Sequence, residues 1–213
     1  MMTEELIRSL ATDVKRVPRQ AVAQRIAVGM IGGAVVTLLL ITALLGVRSD
    51  LGAAMGGFSL WMKWAYTASL GTVAVIATAN LARPEIVSLR WLWLLAVPVL
   101  LLAGIGIAEF AYAPAGASVE MWLGHSWKVC PWLVLSLSLP IFAGLLWSYR
   151  RFAPTRLRAA GATAGLSAGA WAATLYCLHC PEVSAMFVLI WYSLGIGLVT
   201  ALGALLGPRL LRW

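Results

Sequence analysis

The stretch LYCLHCPE, residues 175–182, holds the residues of this chain that are best suited to thiol or metal chemistry. Cys177 and Cys180 are three positions apart, His179 lies between them, and Glu182 follows. A C-x-x-C pair serves redox enzymes and metal sites, because two neighbouring thiols can close a disulfide or bind a soft cation. The same residues could also form the end of a buried helix, so the stretch alone leaves three interpretations open.

The third cysteine, Cys130, precedes a proline, as Cys180 does. In the outer loop or first turn of a helix, free N–H groups and the helix dipole would favour a thiolate at Cys130. We expect Cys180 to be exposed and reactive, with a His179 imidazolium favouring its thiolate, and Cys177 to be packed. A Cys130–Cys180 bridge requires Cα atoms within about 7 Å. A permanent disulfide between two solvent-facing cysteines is the alternative.

Thiolates near an imidazole also form a soft site for zinc or cadmium, and the candidate ligands are Cys130, Cys180 and His179. Because the sequence has no second C-x-x-C pair, we do not expect a closed structural zinc site. The sequence therefore predicts no resident cofactor and at most a transient heavy-metal ion at the cysteines.

The composition places these residues in a membrane protein. Of 213 residues, 62% are hydrophobic and only 11% are charged, which a soluble fold could not bury. Six apolar runs each have about the 20 residues that a membrane-spanning helix needs. They are 26–47, 61–81, 91–111, 131–149, 159–178 and 184–206. The predicted fold is an all-α bundle of six transmembrane helices, with the lipid bilayer as its solvent.

The basic residues predict the orientation of this bundle. With the N-terminus in the cytoplasm, 13 of the 16 Lys and Arg residues lie inside, and only Arg48, Lys63 and Lys128 lie outside. The positive-inside rule therefore puts both termini in the cytoplasm and all three cysteines on the outer side. This placement accounts for the net charge of +8 without a direct nucleic-acid role. Glu109 is the main ionisable residue within the spans, which argues against a transporter or channel.

Small residues repeat every four positions along three of the predicted spans. In the fifth span they are Gly161, Gly165, Gly169, Ala173 and Cys177; the first and last spans carry the pairs Gly29/Gly33 and Gly203/Gly207. Such stripes allow the backbones of neighbouring helices to approach closely.

Residues 1–25 form a separate cytoplasmic segment before the membrane domain, 26–213. Thr3 can cap a short helix, and Pro18 marks its end. Its apolar face consists of Leu6, Ile7, Leu10, Val14 and Val17. We expect this face to dock into a groove of a cytosolic partner or to lie on the membrane surface.

Three segments together resemble the NrsF family of membrane anti-sigma factors: LIRSLATDVKRVP at 6–18, CP at 130–131 and HCPE at 179–182. The resemblance covers essentially the whole chain. It implies a non-enzymatic, six-helix inner-membrane protein of Gram-negative bacteria that holds an extracytoplasmic-function sigma factor inactive. It also implies a periplasmic cysteine pair that senses oxidants or heavy metals. By position the pair falls on Cys130 and Cys180, and Cys177 is an addition outside it.

The resulting hypothesis assigns sigma-factor binding to Leu6, Ile7, Leu10 and Val14, aided by the arginine-bearing loop 150–158. Bridging of Cys130 and Cys180 would weaken this binding, with Cys177, His179 and Glu182 as auxiliary residues. The chief alternative is a membrane thiol-disulfide oxidoreductase that passes electrons from Cys177 and Cys180 to a quinone. The enzyme would need Cys177, whereas the sensor needs Cys130.

Overall fold

The structure, a computed structural model, describes residues 3–5, 7, 20–82, 90–114, 118–152 and 154–212, and these contain helices and no strand. Helix α1 (Ala21–Leu40) continues through a π-helical turn, Ile41–Leu45. The short α2 (Leu51–Met55) then leads into α3 (Phe58–Leu81).

The second half of the chain continues this pattern of long helices. A 3₁₀ segment, Arg90–Leu95, leads into α4 (Ala96–Ala111), and the short α5 (Ser118–Leu123) precedes α6 (Cys130–Tyr149). Helix α7 (Leu157–Tyr176) is followed by one continuous helical stretch: α8 (Ala185–Phe187), a π-helical turn (Val188–Tyr192) and α9 (Ser193–Leu210).

The all-α prediction is confirmed for the described residues, and each of the six apolar runs corresponds to a long helix. The largest shift is at α1, which begins at Ala21 instead of residue 26. The added residues, such as Ala23, Gln24 and Arg25, are good helix formers, and none is glycine or proline. The helix therefore extends beyond the apolar run itself.

Four of the long helices are apolar and long enough to cross a membrane. They are Ala21–Leu45, Leu92–Ala111, Cys130–Tyr149 and Ala185–Leu210. Helices α3 and α7 have sufficient length but are less apolar, with several threonines, serines and glycines along their faces. Both lie largely within the bundle, where a side chain contacts other helices instead of lipid.

Helix α7 is the centre of the bundle and packs against α3, α6 and α9. The predicted small-residue stripe forms its contact with α9. A Cβ atom on Gly161 would overlap the carbonyl group of Gly203, a Cβ on Gly203 would overlap that of Gly161, and Gly207 meets Leu157 in the same way. Only glycine allows these two backbones to come so close.

A second close contact joins α1 to α6. A Cβ on Gly29 would overlap the Gly144 carbonyl group, Gly33 faces the backbone of Ile141, and Thr37 Oγ1 donates a hydrogen bond to Leu137 O at 2.8 Å. Gly29 and Gly33 were predicted at such a contact. Gly144 was not, because no other glycine lies four residues from it.

We expect Gly203→Ala to destabilise the protein by about 1–3 kcal/mol, because its methyl group would force α7 and α9 apart. The Tm should fall by several degrees. It is measured by thermal unfolding in detergent, with tryptophan fluorescence as the signal. Gly197→Ala is the matched control on the same helix, since a Cβ there meets nothing within 4 Å. Equal Tm values for the two variants would contradict the close-contact explanation.

Candidate thiol site

The helices bring all three cysteines to one end of the bundle, called here the cysteine end. Cys130 is the first residue of α6, Cys177 directly follows α7, and Cys180 lies in the loop 177–184 that leads to α8. All three are free thiols, and each is 0% exposed. The expected packing of Cys177 is confirmed, but the expected exposure of Cys180 is wrong. Cys130 is at the start of a helix as expected, and it is buried as well.

The three thiols form one cluster with two buried tyrosines. Cys130 lies near both Cys177 and Cys180, and Tyr176 lies near Cys130 and Cys180. The Cys177 thiol donates to Ala173 O at 3.2 Å. The buried Tyr192 side chain lies near all three thiols. The three sulfurs and the two tyrosines therefore share one buried environment.

A buried lysine holds the loop that carries Cys180. Lys63, near the start of α3, is 0% exposed, and its Nζ donates to Cys180 O at 3.0 Å and to Glu182 O at 2.7 Å. No ion pair joins Lys63 to a carboxylate in the described part of the chain. Its charge is instead solvated by backbone carbonyl groups, which fixes the position of residues 180–182.

The segment after α1 forms a second attachment for the same loop. Arg48 Nη1 donates to Cys180 O at 3.3 Å, and the Arg48 backbone N–H donates to Leu178 O at 3.1 Å. The guanidinium also binds Asp50 through two hydrogen bonds of 2.6 Å, and this pairing holds the pKa of the Asp50 carboxyl below its ordinary value. The ion pair therefore persists in mildly acidic solution and keeps Arg48 directed at the loop.

His179 pairs through its Nδ1 with Gly46 O at 2.9 Å, and its ring lies 5.7 Å from that of Tyr176. Because a carbonyl oxygen can only accept, Nδ1 carries the proton. His179 thus joins the loop to the end of the first long helix. Within the described residues, no group of three or more His, Cys, Asp and Glu side chains is arranged to hold a metal ion. Binding of a metal by Cys130, Cys180 and His179 would therefore require the site to rearrange.

Glu182 connects the loop to the turn that precedes Cys130. Its Oε1 accepts hydrogen bonds from His125 N at 2.8 Å and from both the backbone N and the Oγ of Ser126 at 3.0 Å. Ser126 O in turn accepts from Cys130 N at 2.8 Å. The Glu182 carboxylate thus links the Cys180 loop to the start of α6, and its auxiliary role in sensing stays a prediction.

The predicted partner-binding residues lie at the N-terminus. Ile7 is in a helical conformation, and 61% of its side chain is exposed. Leu6, Leu10, Val14 and Val17 lie outside the described residues, so their apolar face stays a prediction.

Lys63 is the residue of this site that the sequence analysis failed to identify. It was counted only as an outer-side charge, although it lies inside the predicted span 61–81. A lysine within an apolar run is itself a signal, because a cation there must find polar partners in the protein. The choice of Cys180 O and Glu182 O as those partners could not be read from the sequence, since they are more than 100 positions away.

We expect Lys63→Met to destabilise the cysteine end by about 1–3 kcal/mol, because Glu182 O loses its lysine donor and Cys180 O keeps only the longer hydrogen bond from Arg48. The loop should then open more often, so that a maleimide labels Cys180 at least about tenfold faster. Labelling of the purified protein, with peptide mass spectrometry to identify the cysteine, measures this rate. Lys128→Met is the control, since Lys128 is exposed. An unchanged Cys180 labelling rate in Lys63→Met would show that Lys63 does not hold the loop.

Comparison with known proteins places this chain among regulators. Residues 10–213 match the family described as NrsF, negative regulator of sigma F. The chain is 41% identical to the probable anti-sigma-F factor NrsF of Azospira oryzae and 39% identical to the anti-sigma-F factor NrsF of Caulobacter vibrioides. Both alignments cover 100% of this chain and 100% of the relative. No solved structure matches the chain.

Proposed function

This chain belongs to the NrsF family, and we propose that it is a membrane-bound anti-sigma factor that holds an extracytoplasmic-function sigma factor inactive. Release follows when Cys130 and Cys180 react with an oxidant or a heavy-metal ion. The names of the two relatives support the anti-sigma role, and the thiol cluster supports the sensing role. No catalytic residue is part of this proposal.

The observation that carries the proposal is the course of α6. This helix begins at Cys130 in the thiol cluster and runs to Tyr149 at the opposite end of the bundle. Along its length it packs closely on α1 through Gly144 and Gly29, and the N-terminal segment directly precedes α1. A displacement of Cys130 is therefore passed through two tightly packed helices toward the sigma-binding segment.

Cys130 and Cys180 can be bridged in either of two ways. An oxidant forms the Cys130–Cys180 disulfide, taking two electrons from the sulfurs while two protons leave. A divalent soft cation bound by the two thiolates displaces two protons without electron transfer. Because both thiols are buried at rest, the loop held by Lys63 must open for either reaction.

The free energy that bridging must supply to release the sigma factor is modest. To empty a largely occupied complex, bridging must shift the binding equilibrium by about 3–5 kcal/mol. Formation of a disulfide or of a tight thiolate–metal bond can supply a free energy of this magnitude. Bridging would tie the start of α6 covalently or through a metal to the loop 177–184, at a place where the two segments are otherwise joined by the hydrogen bonds between Glu182 and Ser126.

The proposed topology has six spans in a bacterial inner membrane, with both termini cytoplasmic and the cysteines periplasmic. The four apolar helices support membrane insertion. Helices α3 and α7 are proposed as the other two spans, because they have the length and the bundle shields their polar residues. Residues 1–25 are then the sigma-binding segment and 26–213 the membrane domain.

We expect Cys130→Ser and Cys180→Ser to keep the sigma factor bound in unstressed cells but to abolish release by cadmium or hydrogen peroxide. A sigma-dependent reporter, measured with and without each compound, checks both statements. Cys177→Ser is the matched control and should respond as the wild type does. Normal induction in both single variants would end the sensor proposal. Loss of response in Cys177→Ser and Cys180→Ser but not in Cys130→Ser would favour the quinone-linked enzyme.

We expect Leu10→Asp to release the sigma factor without any signal. Burial of a leucine side chain contributes about 1.5–3 kcal/mol, so binding should weaken at least about tenfold. Co-purification of the sigma factor with the tagged full-length protein measures the loss. Ser9→Asp adds the same charge on the polar face and should still bind. A Leu10→Asp protein that retains the sigma factor would show that this face is not the binding surface.

A further inference from the structure

A groove opens between α1 and α6 at the end of the bundle opposite the cysteines, called here the arginine end. Its volume is about 380 Å³, and its walls include Gln24, Arg25, Val28, Trp147, Arg151 and Phe152. The groove is therefore lined by two arginines and by apolar side chains.

Arg25 has an incomplete set of partners within this groove. Its guanidinium carbon lies 4.3 Å from the centre of the Trp147 ring, so the planar group is held in a cation–π contact. Its Nε is buried and has no hydrogen-bond partner among the described residues. No ion pair with Arg25 or Arg151 is formed in the described part of the chain. A guanidinium that is fixed in orientation and has an unused donor is suited to a planar or tetrahedral oxyanion.

The charges of the described residues between 20 and 212 differ between the two ends. The four described carboxylates in this range, Asp50, Glu109, Glu120 and Glu182, lie at the cysteine end. The arginine end carries Arg25, Arg150, Arg151, Arg156, Arg158, Arg209 and Arg212. Because none of these four carboxylates lines the groove, an anionic ligand is a suitable counter-charge for Arg25 and Arg151.

The position of the groove identifies the source of that anion. Arg25 is the fifth residue of the span Ala21–Leu45, and Trp147 lies two positions before the end of Cys130–Tyr149. The groove is thus at the level of the lipid headgroups, where arginine and tryptophan side chains meet phosphates. Val28 is 62% exposed just beyond Arg25, in the direction of the hydrocarbon core.

We propose that this groove binds the headgroup phosphate of an anionic phospholipid. Arg25 and Arg151 contact the phosphate oxygens, Trp147 holds the Arg25 guanidinium in place, and Val28 and Phe152 line the path of an acyl chain. The site joins α1 to α6 at the end from which the N-terminal segment leaves the bundle.

The test uses the full-length protein purified in a neutral detergent and compares its Tm with three additives: dioctanoyl phosphatidylglycerol, dioctanoyl phosphatidylcholine and inorganic phosphate. We expect phosphatidylglycerol alone to raise the Tm by several degrees, because it binds only the folded state. Arg25→Gln should lose this rise. Arg209→Gln, an exposed arginine at the same end but on α9, should keep it. Because Arg151 is exposed, Arg151→Gln serves as the second variant if Arg25→Gln fails to fold, and it should at least halve the rise.

Four results would overturn the proposal. An equal rise with phosphatidylcholine would show non-specific lipid binding, and an equal rise with phosphate would show a free-anion site. A full rise in both Arg25→Gln and Arg151→Gln would place the lipid elsewhere. In the fourth result, the lipid leaves the Tm of the wild type unchanged, and the sigma factor raises the Tm of the wild type but not that of Arg25→Gln. This result would assign the groove to a protein partner.

Discussion

Direct backbone contact between α7 and α9 is the constraint on which the rest of the structure depends. Helices surrounded by lipid gain little from hiding apolar side chains, so close packing must hold them together. The facing glycines Gly161 and Gly203 provide it. With these two helices fixed side by side, the loop 177–184 between them has little freedom, and its two cysteines are drawn into the bundle instead of facing solvent.

The same constraint explains which features could be predicted from the sequence. Apolar runs of about 20 residues and glycines four positions apart are local patterns, so the six long helices and two of their contacts could be predicted. The burial of Cys130 and Cys180 could not, because it depends on hydrogen bonds between distant residues. Lys63 with Cys180 O, and Glu182 with Ser126, are such pairs. A motif such as HCPE identifies chemically able residues but carries no information on what covers them.

The two ends of the bundle differ in their charged side chains. Carboxylates and their partners hold the loops together at the cysteine end, where Glu109 also accepts from Ala185 N at the start of α8. At the other end lie described arginines such as Arg25 and Arg151, and none of the four described carboxylates of residues 20–212 lies beside them. The two ends therefore differ in charge among the described residues, and the groove lined by Arg25 and Arg151 is left to interact with lipid or protein. This division matches a protein that receives a signal on one side and holds a partner on the other.

The way in which the Cys180 loop is attached determines which amino-acid changes would loosen it. Lys63 and Arg48 both bind main-chain oxygens, which every amino acid possesses. Amino-acid changes at Pro181 or Val183 would therefore leave these hydrogen bonds available. A mutational scan of the loop would detect the side-chain contacts of His179 and Glu182 but not the attachment to Lys63 and Arg48. Under the proposed function, variants at positions 48 and 63, far from Cys177 and Cys180 in the sequence, should also change how readily the loop opens.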